Sequence, residues 1–143
     1  CIRDRDWVSV QLNDNREVMA YILRNKDGSI SDFSKLVWIS EDGELTHQNP
    51  DEFQWIQNGN YKSRETGAIY PISPSFTTKD PKSGTIRKFT VIPLMEEQEI
   101  PGKIGGVPYW EGACEVANEK GQVIGTAYLE LSGYSGNLKK RLN

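Results

Sequence analysis

The chain has 143 residues, with 17 Lys and Arg against 20 Asp and Glu, and a formal net charge of −3 at pH 7. This length suits one domain with one core, and the acidic balance, broken only by the short run Lys139, Lys140, Arg141, argues against a nucleic-acid partner. Apolar residues fall in short alternating runs, far from the ~20 consecutive positions a membrane-spanning helix needs, so no transmembrane segment is expected.

In chain order, residues 6–12 (DWVSVQL) alternate Trp7, Ser9, Gln11 against Val8, Val10, Leu12, and a polar turn at 13–16 leads into EVMAYILR. That is a first hairpin. NKDG at 25–28 ends it, residues 35–40 (KLVWIS) form the next run, and Asp42-Gly43 turns the chain into a short polar strand. Residues 53–56 lead to Asn58-Gly59, a second type I′ signal. Pro71 and Pro74 within 68–78 mark an edge or bulged strand, because proline cannot donate to a ladder. Residues 85–93 (TIRKFTVIP) alternate again, EEQE at 96–99 reads as a solvated face, a Gly-rich loop covers 101–106, and 135–143 form a terminal tail with one helical turn.

The run VPYWEGACEVANEKGQVIGTAYLELSGY, residues 107–134, is the longest hairpin, and the rest of the chain is organised around it. An even-numbered loop at 118–121 sets Tyr109 opposite Glu130, Glu111 opposite Tyr128 and Ala113 opposite Thr126. The other face then carries Trp110, Cys114, Val116, Val123, Ala127, Leu129 and Leu131, with Gly112 and Gly125 leaving room for a neighbour. A three-residue loop with a bulge at Gly121 is rejected, since it would put Trp110 opposite Glu130 and mix the faces. Roughly nine or ten short strands with frequent turn signals and no amphipathic helix point to an all-β, antiparallel up-and-down barrel, or to a sandwich.

Cys1 stands where a methionine would, which reads as a processing or fragment boundary, with lipid modification of Cys1 as the alternative. The other cysteine, Cys114, belongs to the core face, so no disulfide framework is expected. His47, the sole histidine, cannot anchor a zinc site alone, and no metal or cofactor motif is present.

Several blocks together resemble the carotenoid 1,2-hydratase family, which embraces AttH-like proteins, secreted hydrolases and fungal kievitone hydratases. They are Asp6, Trp7, Val10, Gln11, Leu12; Trp55; Thr66, Gly67, Ala68, Tyr70, Pro71; Val91, Pro93, Gln98, Glu99; YWEGA at 109–113; and G.AYLELSGY ending at Tyr134. The resemblance spans about residues 6–134, with 1–5 as a junction edge. It implies a lipocalin-like barrel, the second of two in tandem, so an N-terminal sister barrel is an expected partner. It also implies a secreted or periplasmic protein and a hydrophobic small molecule of polyene or terpenoid type. The activity implied is hydration or cyclisation without a cofactor.

Alkene hydration needs a carboxylic acid held protonated among apolar groups and aromatic faces that tolerate a carbocation. Glu130 and Glu111, with Tyr109 and Tyr128, are the catalytic candidates, and Glu99 is a third acid. Trp7, Gln11, Trp55, Tyr70 and Trp110 are the ligand-binding candidates. The competing reading is structural, with tyrosines satisfying buried carboxylates and tryptophans, Trp38 included, packing the barrel of a binding or purely structural module.

Overall fold

A computed structural model of the protein describes residues 1–102 and 106–135. The tail assigned to 135–143 lies, from residue 136 on, outside the described residues. Among those described, twelve strands form: β1 Ile2–Leu12, β2 Glu17–Asn25, β3 Lys35–Ile39, β4 Leu45–Gln48, β5 Phe53–Ile56, β6 Asn60–Lys62, β7 Ile69–Pro71, β8 Ser75–Lys79, β9 Ile86–Pro93, β10 Glu99–Ile100, β11 Tyr109–Ala117 and β12 Val123–Ser132. They run antiparallel in the order β4-β3-β2-β1-β12-β11-β9-β8-β5, with β10 on β11 and β6 with β7 as a separate ribbon. First and last long strands pair, so the meander curls into the expected lipocalin-like barrel.

The remaining opening lies between the edge strands β4 and β5, and a β4 side chain reaches across it to β8. Gln48 Nε2 donates to the Lys79 carbonyl at 2.8 Å, and Gln48 Oε1 accepts from Thr78 Oγ1 at 2.6 Å. Thr78 Oγ1 in turn accepts from Trp38 Nε1 at 3.0 Å.

Three local expectations are corrected. β1 begins at Ile2, so most of the segment set aside as an edge is strand; Asp4 and Asp6 continue the inward parity of Val8, Val10 and Leu12. Asn58-Gly59 does not close a hairpin between strands flanking it. Its carbonyls instead accept from Ser73 N at 3.0 Å and Ile72 N at 3.1 Å, which carries the chain into the β6–β7 ribbon. The 68–78 run divides at Pro74 into β7, on that ribbon, and β8, inside the main sheet.

The last hairpin departs from the expected register for a definable reason. Gly121 N donates to Asn118 O at 3.0 Å and Asn118 N to Gln122 O at 2.9 Å, closing the three-residue loop that was rejected, with Gly121 at φ 76°. A second irregularity between Val116 and Ala117 adds another one-residue offset. Two offsets restore the parity of the faces, moving Ala117 by one and every pair from Val116 back to Trp110 by two. Trp110 therefore faces Leu131, Glu111 faces Glu130, and Ala113 faces Tyr128. Val123, expected in the core, is 51% exposed, and Ile124 packs against the core instead. A Cβ on Gly125 would strike the Gln11 carbonyl of β1, and one on Gly112 the Gln98 side chain, so both glycines do admit a neighbour.

The interior is filled by a column of aromatic rings. Trp38, Phe89, Phe76 and Trp55 succeed one another at centroid separations of 5.9, 5.3 and 5.7 Å. At one end Arg16 lies over the Trp38 ring, 4.8 Å from its centroid, and grips Asp80 through bonds of 2.6 and 2.9 Å. That bond and the Lys82 and Ser83 amides hold the Asp80 carboxyl down to about 2 against the opposing effect of burial. A cleft of about 370 Å³ opens above Arg16, between the β1–β2, β3–β4 and β8–β9 turns.

Candidate functional site

The other end of the column holds a buried polar cluster built from inward positions that would ordinarily be apolar. Asp6 is 0% exposed, and Asp4 and Arg24 are each 5% exposed. The β1–β2 register sets Asp4 beside Arg24 and Asp6 beside Ile22. Arg24 Nη1 donates to Asp4 Oδ1 at 2.6 Å and Nη2 to Asp6 Oδ2 at 2.8 Å. Arg3 Nε completes the Asp4 carboxylate at 2.7 Å. Trp55, at the end of the column, donates Nε1 to Asp6 Oδ2 at 3.0 Å.

Asp6 shares one hydrogen-bond network with Tyr134, Arg24, Trp55 and Gln57. Asp6 Oδ2 accepts from Arg24 and Trp55, while Oδ1 makes a very short bond with the Tyr134 hydroxyl. That hydroxyl also accepts from Arg24 Nη1 at 3.0 Å. The Gln57 amide is satisfied with its carbonyl toward the Arg24 guanidinium, at 3.0 and 3.2 Å, which places that carbonyl 2.8 Å from the same hydroxyl. A tyrosine has one proton to give. The bond runs from the Tyr134 hydroxyl to Asp6 Oδ1, and the Gln57 carbonyl, already met by Arg24, competes for the same proton. Burial pushes the Asp6 carboxyl up, against the Arg24 and Tyr134 hydrogen bonds, and burial and the negative charge of an ionised Asp6 push the Tyr134 phenol well above its ordinary range. Burial thus favours the neutral form of Asp6, while Arg24 and Tyr134 favour its charged form.

A second polar group fastens a cover over this end. Glu99, expected within a solvated run, accepts Ser63 Oγ at 2.7 Å, Thr66 Oγ1 at 2.8 Å and Tyr70 Oη at 2.7 Å, whereas Glu96 and Glu97 are exposed. The Tyr70 phenol is raised by burial and by that carboxylate. Its ring leans on Tyr134, with centroids 5.8 Å apart, so the β6–β7 ribbon sits across the acid cluster.

Of the ligand-binding candidates, Trp55, Tyr70 and Trp110 gather at this end; Trp110 shares a cross-strand row with Leu131 and Asp6. Trp7 and Gln11 project from the opposite face of β1. The catalytic candidates Tyr109, Glu111, Tyr128 and Glu130 are also on the outer face, where Glu130 accepts from Arg5 at 2.9 Å and Tyr128 is 42% exposed. Partial burial and the Glu111 carboxylate raise the Tyr128 phenol. Asp4, Arg24 and Gln57 were not singled out from sequence, and Asp6 and Tyr134 entered only as resemblance residues. Their signal was available as parity, since Asp4 and Asp6 fall in step with Val8, and Arg24 in step with Val18 and Ile22.

Comparison with known proteins agrees with this fold. The crystal structure of an AttH protein from Nitrosomonas europaea superposes with a TM-score of 0.81 at 29% identity, over 94% of this chain and 39% of that one. Kievitone hydratase from Nectria haematococca superposes with a TM-score of 0.65 at 15% identity, over 94% of this chain and 40% of that one, a likeness of fold alone. The chain therefore spans about two-fifths of the length of these relatives. No curated protein matches it. The AttH-like family profile matches residues 3–134, and with nearly the whole barrel inside that match the chain belongs to the AttH-like family.

Proposed function

We propose that this barrel is part of a protein that binds or transforms a hydrophobic polyene, terpenoid or polyketide-like molecule by cofactor-free hydration or cyclisation, with Asp6 as its proton donor. The observation that carries the reading is a carboxyl wholly buried between Trp55 and Tyr134, where burial raises its affinity for a proton. Protonation of an alkene joins the Asp6 proton to one carbon, using the π pair. The cation left on the other carbon faces the Trp55, Tyr70 and Tyr134 rings. Water attacks that carbon and the resulting oxonium gives its extra proton to the Asp6 carboxylate; in a cyclisation a second alkene attacks instead, and the new cation loses a proton from the neighbouring carbon to the same carboxylate. Access to Asp6 requires the Tyr70–Tyr134 pair to swing aside. Glu111 and Glu130 lie outside these aromatic surroundings. The remainder of the protein, including an N-terminal sister barrel, would complete the walls, and a secreted or periplasmic setting fits such a ligand.

A structural reading competes because the aromatic column leaves the interior filled and every buried side-chain polar atom described has a partner. Asp6→Asn in the full-length protein separates the two. Asparagine reproduces the neutral acid, accepting from Arg24 and Trp55 and donating to Tyr134, but has no proton to deliver. The catalytic reading expects an unchanged melting temperature and a loss of turnover of about a hundredfold or more, followed as addition of water to squalene, geraniol and retinol. A variant that melts early yet turns over normally per folded molecule supports the structural barrel.

A further inference from the structure

We propose that the outer face of β11, β12, β1 and β2 is the docking surface for another domain of the same protein, one apolar at its centre and basic at its margins. The inference rests on the reading that the barrel works within a longer protein, and it specifies where the partner sits.

The outward side chains of these strands line up in rows across the sheet. Ala113, Tyr128, Ser9 and Met19 form one row, and Glu111, Glu130, Trp7 and Tyr21 the next. Tyr128 is 42% exposed, and Trp7, Met19 and Tyr21 are half-buried. Clefts of about 440 and 320 Å³ flank Trp7 and Tyr109 and share Arg5 and Glu130, so the relief is continuous. No lysine occupies an outward position on these four strands. Trp7, Tyr21, Met19 and Tyr128, with no Lys beside them, are residue types enriched at interface centres, and Glu111 and Glu130 beside them set the charge a partner must meet.

Area and charge decide the occupant. Four strands about 4.8 Å apart, with four outward positions each, cover about 400–500 Å² per side, within the ~600–1,500 Å² total of interfaces between domains of one chain. The face carries Glu17, Glu111, Glu115 and Glu130 against Arg3 and Arg5. A second copy packed face to face would set carboxylates against carboxylates, which is costly. A domain bearing Arg or Lys around an apolar centre meets the same face favourably. The solved relatives, of which this chain spans 39% and 40%, have the length for such a domain.

Hydroxyl-radical footprinting of the full-length protein tests this, with Phe33, 76% exposed, as the internal reference. From their exposures in the barrel alone, Tyr128 at 42% would label less than twofold more slowly than Phe33. Docking predicts that Tyr128 labels about fivefold or more slowly, with Trp7 and Met19 equally protected, as core interface side chains lose most of their water. In Tyr128→Arg, labelling of Trp7 should rise by a similar factor while the barrel stays folded. Tyr128 labelling in line with its exposure overturns the proposal. Protection of Ile86, on the β8–β9 side, in place of Tyr128 leaves a docked partner but overturns this face. Protection that vanishes on dilution assigns the face to a second copy and also overturns it. No protection anywhere overturns both the face and the longer-protein reading.

Discussion

Arg24→Met is expected to destabilise the barrel by about 3–5 kcal/mol, the cost of stripping a buried ion pair of one partner. The substitution keeps the aliphatic volume but removes the donors that reach Asp4 at 2.6 Å, Asp6 at 2.8 Å and the Tyr134 hydroxyl at 3.0 Å. Asp4 keeps only Arg3, whose side chain is 45% exposed and screened by water. Urea denaturation of wild type and variant measures the effect. A loss under about 1 kcal/mol would mean that water enters this end and solvates the carboxyls.

Phe76→Ala is expected to cost a similar ~3–5 kcal/mol through lost burial and an unfilled cavity. Phe76 is 0% exposed and sits between Trp55 and Phe89, so no surface loop can collapse into the space. The same variant should acquire what the wild type lacks, an apolar hole in the column, and bind benzene-sized probes detectable by tryptophan fluorescence. Binding of such probes by the wild type with equal affinity would show that the column already opens.

Strand positions and the core face were legible in the sequence because period-two alternation depends on only a few neighbours. Trp7 and Val8 are separated correctly by parity alone, as are Tyr128 and Leu129. Register was not, because the three-residue loop at Gly121 and the irregularity at Val116/Ala117 each shift the pairing by one, and only their combined effect keeps Glu111 off the core face. The site was hidden for a different reason. Charged residues are ordinarily read as outward, so Asp4, Asp6 and Arg24 were not recognised as inward positions even though their parity says so. Glu99 was likewise hidden inside EEQE, since its three hydroxyl donors come from a ribbon more than twenty-five residues away in sequence. Attention went to the tyrosines and glutamates of the last hairpin because they alternate cleanly. They do share a face, and it is the outer one.

The account turns on burial outweighing Arg24 in setting how tightly Asp6 holds its proton, and its ¹³C carboxyl titration by NMR tests that most directly. The prediction is a midpoint above the 3.8 of an ordinary aspartate, with burial as the leading cause. Because the folded value lies above the unfolded one, the stability Asp6 contributes is fully present below pH 3.8 and is lost as pH rises through the folded midpoint. Wild type should accordingly weaken relative to Asp6→Asn across that interval. A midpoint at or below 3.8, with wild type gaining on the variant as pH rises, would make Asp6 a charged partner of Arg24 and contradict its role as proton donor.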